Sequence, residues 1–411
     1  MRLLRSVAVA VLLFICTFTS APFASETIDI GMSAAFKGPT GGLGIELYRG
    51  SMAYIQRINE SGGINGKQIR IIAYDDGYNP TPAINNTIQL IDKDKVFLLF
   101  GYVGTPTVTR VLPILKSNSE KNVFLFFPFT GAQPHRQPPY EEYVFNLRAS
   151  YHQETGGLVD NFIKVGRKKI AVFYQADAYG RSGWNGVRIT LAKYGLKIAG
   201  EATYRRGTNF GDTLSQQVAL LRNSGADAVI SIGAYAACAA FIRDARDAGW
   251  DVPIANVSFV GSEFLINLLL EAGKRNRYDY TTNLINSQVV PSYEDTSLLA
   301  VQEYREFMDA YSQLPPVHLV EPGYRPIRYS FVSFEGFLNA KLLVEILKKM
   351  GPHFDKNRIK PVVEGIRNLD IGIDARVSFG PARHQGIDRV YYTTYSEGRF
   401  VPITDWSRWR K

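Results

Sequence analysis

Cysteine is nearly absent: the 411 residues hold two, Cys16 and Cys238. With the N-terminal segment removed only Cys238 remains, which rules out an intrachain disulfide and leaves the redox compartment undecided. Cys238 stands in Tyr-Ala-Ala-Cys-Ala-Ala-Phe, an apolar helical stretch that suits a buried, inert thiol better than a nucleophile. Histidine is scarce as well, with His135, His152, His318, His353 and His384 never at metal-ligand spacing. No Gly-x4-Gly-Lys-Ser/Thr, Gly-x-Ser-x-Gly or His-Glu-x-x-His pattern occurs. No nucleophile–base pair, metal set or cofactor motif can therefore be assembled, and the chain does not read as an enzyme. Acidic residues are too few to balance the basic ones, leaving a formal charge of +9. The Lys and Arg are scattered, and the aromatics sit at core-like positions rather than between them. That describes a solvated basic surface, not a nucleic-acid track.

Long hydrophobic runs are missing too, except at the start. Arg2 and Arg5 precede an uncharged apolar run, Ser6 to Phe18, followed by small residues at Ser20, Ala21, Ala24 and Ser25. The run is short for a membrane span and right for a secretory signal over residues 1–25, cleaved between Ala21 and Ser25. The rival is an uncleaved anchor. A lipoprotein is disfavoured because Leu13-Phe14-Ile15 before Cys16 lacks small residues. The expected location is the periplasm.

What remains is long enough for two domains. Strand-like runs at Thr27–Met32, Gln68–Tyr74, Val96–Gly101 and Asn122–Phe127 alternate with helical stripes such as Ile84, Thr87, Ile88, Ile91 and Val108, Val111, Leu112, Leu115. The pattern then restarts. Strands are expected at Lys168–Tyr174, Lys197–Ala202, Ala226–Ile232 and Pro253–Phe259. Helices are expected at Gln153–Lys164, Arg181–Lys193, Thr213–Ser224 and Ala236–Ala248. Long helices follow at Leu298–Tyr311 and Phe331–Met350, then a β-rich end from Val377 to Ile403. Alternation of this kind implies an α/β protein with parallel sheets covered on both faces. Two series imply two doubly wound lobes, with ligands expected outside the carboxyl ends of the strands.

The loops at those ends carry hydroxyls and backbone donors. Gly101-Tyr102-Val103-Gly104-Thr105-Pro106-Thr107 leads into a helix, and Pro128-Phe129-Thr130-Gly131-Ala132 follows the next strand. A helix N-terminus with threonines suits a carboxylate without a formal countercharge. The alternative is that Thr105 or Thr107 is only an N-cap. Gly38-Pro39-Thr40-Gly41-Gly42-Leu43-Gly44 is glycine-rich but not spaced for a dinucleotide. Asp75-Asp76 reads as a turn and cap rather than a metal pair.

At these loops the sequence resembles the leucine/isoleucine/valine-binding protein family of ABC-transporter solute-binding proteins, with the type I periplasmic binding fold. The stretches that carry the likeness are Gly38-Pro39, Asn59-Glu60-Ser61-Gly62-Gly63-Ile64-Asn65-Gly66, Tyr74-Asp75-Asp76 with Pro80, Ala178-Tyr179-Gly180, Gly249 and Gly380-Pro381 to Gly386 with Val390-Tyr391. They span roughly 27–403. The resemblance implies a hinge of three crossovers, near Leu147–Ser150, Asn286–Pro291 and Ile373–Phe379. Lobe 1 would then comprise 26–148 and 290–374, and lobe 2 149–289 and 375–411. It also implies ligand contacts from Thr105 and Thr107, from Phe129, Thr130 and Gly131, and from Tyr179 and Tyr235 on the second lobe. Tyr329 would line the side-chain pocket. Leu43 replaces a family tyrosine, and Tyr78 and Gly104 replace a disulfide pair. Where the family has a glutamate for the ligand's ammonium, an ungapped register places Ser258 and a shifted one Glu263. The ungapped register keeps Leu265 to Leu268 in step with the family's helix, and Ser258 cannot neutralise a buried ammonium.

The expected function is a monomeric periplasmic binding protein with no cofactor. It would take up a small carboxylate-bearing molecule, an amino acid first and an aromatic or other organic acid second. It would pass that ligand to the membrane permease of an ABC transporter. The rival is the same fold presenting ligand to a sensor or chemoreceptor.

Overall fold

The computed structural model describes residues 26–311 and 313–411; the expected signal peptide lies outside them. Among the described residues no helix is long and apolar enough to cross a membrane. The first lobe is built on β1 (Thr27–Ala34), β2 (Gln68–Asp75), β3 (Leu98–Phe100), β4 (Leu125–Phe126) and β5 (Val144–Phe145). Their order is β2-β1-β3-β4-β5, all parallel. Helices α1 (Gly41–Glu60), α2 (Pro80–Ile88) and α3 (Thr105–Ser117) follow the first three strands. Side-chain alternation divides the core. Leu98, Phe100, Phe126 and Phe145 join one buried cluster, whereas Leu99, Leu125 and Val144 join the other, beneath α2 and α3. Each such fully buried side chain contributes about 1.5–3 kcal/mol.

The second lobe has strands β6 (Ile170–Gln175), β7 (Glu201–Tyr204), β8 (Ala228–Ile232), β9 (Ile254–Asn256) and β10 (Leu284–Gln288), with helices α4 (Tyr151–Lys164), α5 (Ala178–Lys193), α6 (Ser215–Asn223), α7 (Tyr235–Asp247) and α8 (Ser262–Asn276). Helix α4 starts on a capping box: Gln153 N donates to Ser150 Oγ at 3.3 Å, and Ser150 N donates to Gln153 Oε1 at 2.7 Å. Helices α9 (Leu299–Ala310), α10 (Phe331–Met350) and α11 (Ile359–Glu364) come next, then the small ribbon of β11 (Leu369–Asp370) and β12 (Arg376–Val377). Strands β13 (Tyr391–Ser396) and β14 (Arg399–Pro402) add to the second sheet antiparallel, giving β14-β13-β10-β9-β8-β6-β7. The fold is two doubly wound lobes joined by three crossovers.

The first and third crossovers lie side by side. Asn146 N donates to His384 O at 2.7 Å, Gly386 N to Asn146 O at 2.7 Å, and Ile387 N to Leu147 O at 3.0 Å. The third connection therefore passes at His384–Ile387, beyond the expected Ile373–Phe379, because Val377 is held in the β11–β12 ribbon and Phe379 N bonds Ile366 O. Helices α1 and α10 approach backbone to backbone: a Cβ on Gly50 would stand 1.7 Å from Ser333 O, and one on Gly336 2.2 Å from Leu47 O.

Candidate functional site between the lobes

The carboxyl ends of β3 and β4 bring two hydroxyls together. Thr105 opens α3, and its Oγ1 lies 2.6 Å from Thr130 Oγ1, both side chains buried. Neither Thr105 nor Thr107 caps the helix; the N-cap position is Gly104, at φ 103°, which only glycine tolerates easily. The Thr107 hydroxyl is spent on the loop's own backbone, donating to Val103 O at 2.6 Å and Gly104 O at 2.8 Å. Gly131 lets Tyr151 approach, since a Cβ there would stand 2.6 Å from the ring. The buried Tyr151 hydroxyl lies beside the hydroxyls of both threonines. Three hydroxyls and a helix N-terminus thus converge, an arrangement suited to a carboxylate.

Aromatic rings from the second lobe close on this loop. Phe259 lies with its centroid 5.3 Å from Phe129, 4.7 Å from Tyr179 and 5.9 Å from Tyr78. Gln175 Nε2 donates to Tyr78 Oη at 3.2 Å across the lobes. Tyr179 is buried, its hydroxyl donating to Gly233 O at 3.2 Å. Tyr235 stacks on Phe264 at 4.8 Å. A Cβ on Gly42 would stand 2.5 Å from Phe264, and one on Gly261 2.7 Å from Leu43. The Tyr78 ring also fills the ground over Gly104, 2.2 Å from where a Cβ would be.

Charge enters from residues that motif reading does not single out. Arg148, in the first crossover, is 2 % exposed. It donates to Ser258 Oγ, and its charge faces Glu154 and Glu335, each at 3.5 Å. Its guanidinium lies 4.7 Å from the Phe129 ring centroid. Glu154 is saturated, accepting from Ser258 N at 2.8 Å, Ser258 Oγ at 3.0 Å and Ser287 Oγ at 2.6 Å. Arg136 ties the loop to the crossover through Ala132 O at 2.7 Å and Arg148 O at 3.2 Å.

Ser258 and Glu263 separate clearly. Ser258 belongs to the Arg148–Glu154 group. Glu263 sits at the joint of α8 and α10, where its Oε1 accepts from Phe331 N at 3.0 Å. Tyr329 lies elsewhere: its hydroxyl donates to exposed Asp309 at 2.6 Å and its ring faces Arg305 and Arg328. That places it on the outer side of α9, not on the Thr105 loop. Tyr324, which donates to Glu46 Oε1 at 2.7 Å, is the tyrosine near Tyr235. Asp75 and Asp76 organise a turn, Asp75 Oδ1 accepting from Phe36 N and Asp76 accepting from Ser33 Oγ and Tyr78 N. Cys238 is buried beside Ser231, and burial pushes its thiol up to about 12.

Burial raises Asp76, Glu263 and Glu335 each to about 7. A carboxyl raised on folding binds more protons folded than unfolded, so stability falls as pH rises toward its folded value. Burial pushes His135 far below its usual 6.5, an opposing effect that acts only below that pH. The melting temperature of the empty protein should therefore fall from pH 6.5 to about 8. Glu263→Gln should flatten that slope in differential scanning fluorimetry.

Residues 27–399 match the model of a family described as periplasmic binding protein. A Brucella melitensis protein, Leu/Ile/Val-binding protein homolog 3, is 28% identical over 61% of this chain. An amino acid binding protein of Pseudomonas aeruginosa is 26% identical over 54%. The alignments span 64% and 58% of those relatives' own lengths. The crystal structure of a possible leucine/isoleucine/valine-binding protein from Rhodopirellula baltica superposes with a TM-score of 0.81 at 29% identity, covering 94% of this chain and 98% of that one. The matched model runs through both sheets and all three crossovers, and the chain belongs to the periplasmic binding protein family, alongside the Leu/Ile/Val-binding protein homologues.

Proposed function

We propose that this chain is the exported, solute-binding component of an ABC uptake transporter. It holds a small carboxylate-bearing molecule between its lobes and presents it, as a monomer, to the membrane permease. The observation that carries the reading is the Thr105–Thr130 hydroxyl pair at the start of α3, faced across the cleft by Phe259 and Tyr179. A ligand touching both lobes favours the closed arrangement by its differential affinity. The two bodies that would move are 26–148 with 290–383, and 149–289 with 384–411, the last boundary lying at the third crossover rather than at 374.

A thermal-shift panel of amino acids, 2-oxo acids and aromatic acids tests this. A ligand at a hundred times its dissociation constant should stabilise the protein by about 2.7 kcal/mol. Small-angle scattering should show compaction on adding the hit, and Tyr179→Ala and Tyr235→Ala should weaken both binding and compaction. Binding with no change of dimensions in the wild-type protein would defeat the closure model.

A further inference from the structure

Donors and acceptors at the heart of the cleft are unequally matched. Arg148 is almost wholly buried, and its Nε and Nη1 have no hydrogen-bond partner among the described residues. The Tyr151 ring lies beside it, its centroid 5.9 Å from the guanidinium carbon, with its buried hydroxyl next to Thr105 and Thr130. The two carboxylates beside it differ: Glu335 faces Arg148 Nη1 at 3.5 Å as its counter-charge, while Glu154 is filled by hydrogen bonds from Ser258 and Ser287. A buried donor without an acceptor costs its full desolvation, so the site as built calls for oxygen atoms. An ammonium brought here would lie beside a guanidinium in a low-dielectric interior, with Glu335 already serving as that guanidinium's counter-charge.

We infer that Arg148 sets the ligand class: the cleft selects organic carboxylates that carry a second oxygen acceptor, as 2-oxo acids do, over the corresponding amino acids. This rests on the solute-binding reading above. The carboxylate lies against Thr105, Thr130 and Tyr151, and the second oxygen accepts from Arg148. The apolar remainder packs against the Phe129–Phe259 ring pair.

The test is calorimetric titration of the wild-type chain with phenylpyruvate, phenylalanine and 3-phenylpropionate, and with the 4-methyl-2-oxopentanoate, leucine and 4-methylpentanoate series. In at least one series the 2-oxo acid should bind tightest, by roughly tenfold or more over the amino acid, the scale of one hydrogen bond to a charged group. Arg148→Lys keeps the charge, loses the fork, and should erase the margin over the unsubstituted acid. Glu335→Gln removes the partner of Arg148 without introducing a charge, and should tighten the 2-oxo acid. An amino acid binding as tightly as its 2-oxo analogue overturns the inference, as does a loss of affinity in Glu335→Gln. Silence from all six compounds and from the wider panel defeats the solute-binding reading itself.

Discussion

Thr105→Val should lower affinity for the ligand by roughly ten- to over a hundredfold while leaving the empty protein close to its normal stability. Valine keeps the shape of threonine and removes the hydroxyl. The bond lost to a charged ligand oxygen is worth about 1.5–3 kcal/mol. The bond lost within the empty protein, to Thr130 Oγ1 at 2.6 Å, joins two neutral groups and nets only about 1 kcal/mol. A structural N-cap would give the opposite pattern, with a lowered melting temperature and intact affinity. The geometry speaks against that pattern, since no side chain caps α3. Titration and melting of the same variant decide it. Normal affinity would remove this loop from the binding site.

Gly50→Ala should cost far more stability than a glycine-to-alanine change in a helix usually does. Helix propensity alone would gain up to about 1 kcal/mol. Here the new Cβ would stand 1.7 Å from Ser333 O and 2.5 Å from Ser333 C, backbone atoms that cannot rotate aside. Forcing α1 from α10 costs roughly 3 kcal/mol or more, so overpacking wins. The net loss of about 2 kcal/mol lowers the melting temperature by roughly 2–3 °C in a protein of this size. Gly156→Ala is the contrast: its Cβ would meet only the Thr190 hydroxyl, at 3.1 Å, and that group can turn. Its melting temperature should barely move. Equal melting temperatures for the two variants would mean that the helices separate freely. Binding should suffer in Gly50→Ala as well, because α10 offers Phe331 N to Glu263 at the joint with α8.

The helices were the most legible part of the chain. The stripe over Phe331–Met350 gives α10 with both ends in place, since Ser330 caps one and Gly351 ends the other. Strand β10 shows why other elements were not. Leu284-Ile285-Asn286-Ser287-Gln288 reads as half polar, yet all five residues are buried. Asn286, Ser287 and Gln288 are paired inside with Asn256, Glu154 and Ser262, so burial there follows hydrogen bonding rather than hydrophobicity. The strand expected to reach Phe259 stops at Asn256 and turns into a short helical segment, which is how Phe259 comes to face Phe129. For the site, hydroxyls following strands were enough to find Thr105 and Thr130. Arg148 was hidden because it lies in a crossover, where only the paired backbone at Asn146 and His384 reveals that it points into the cleft.

The seating of Tyr78 on Gly104 reaches beyond packing. An aromatic ring there closes the β2 and β3 loops by contact, at the two positions where the family resemblance implies a disulfide pair. Maturation of this lobe then needs no oxidant and no thiol–disulfide isomerase. The chain from residue 26 onward should reach the same melting temperature from a reducing cytoplasm as from an oxidising one, and dithiothreitol should leave its unfolding curve untouched. Production for crystallography or for a ligand sensor is thereby freed from the choice of cellular compartment.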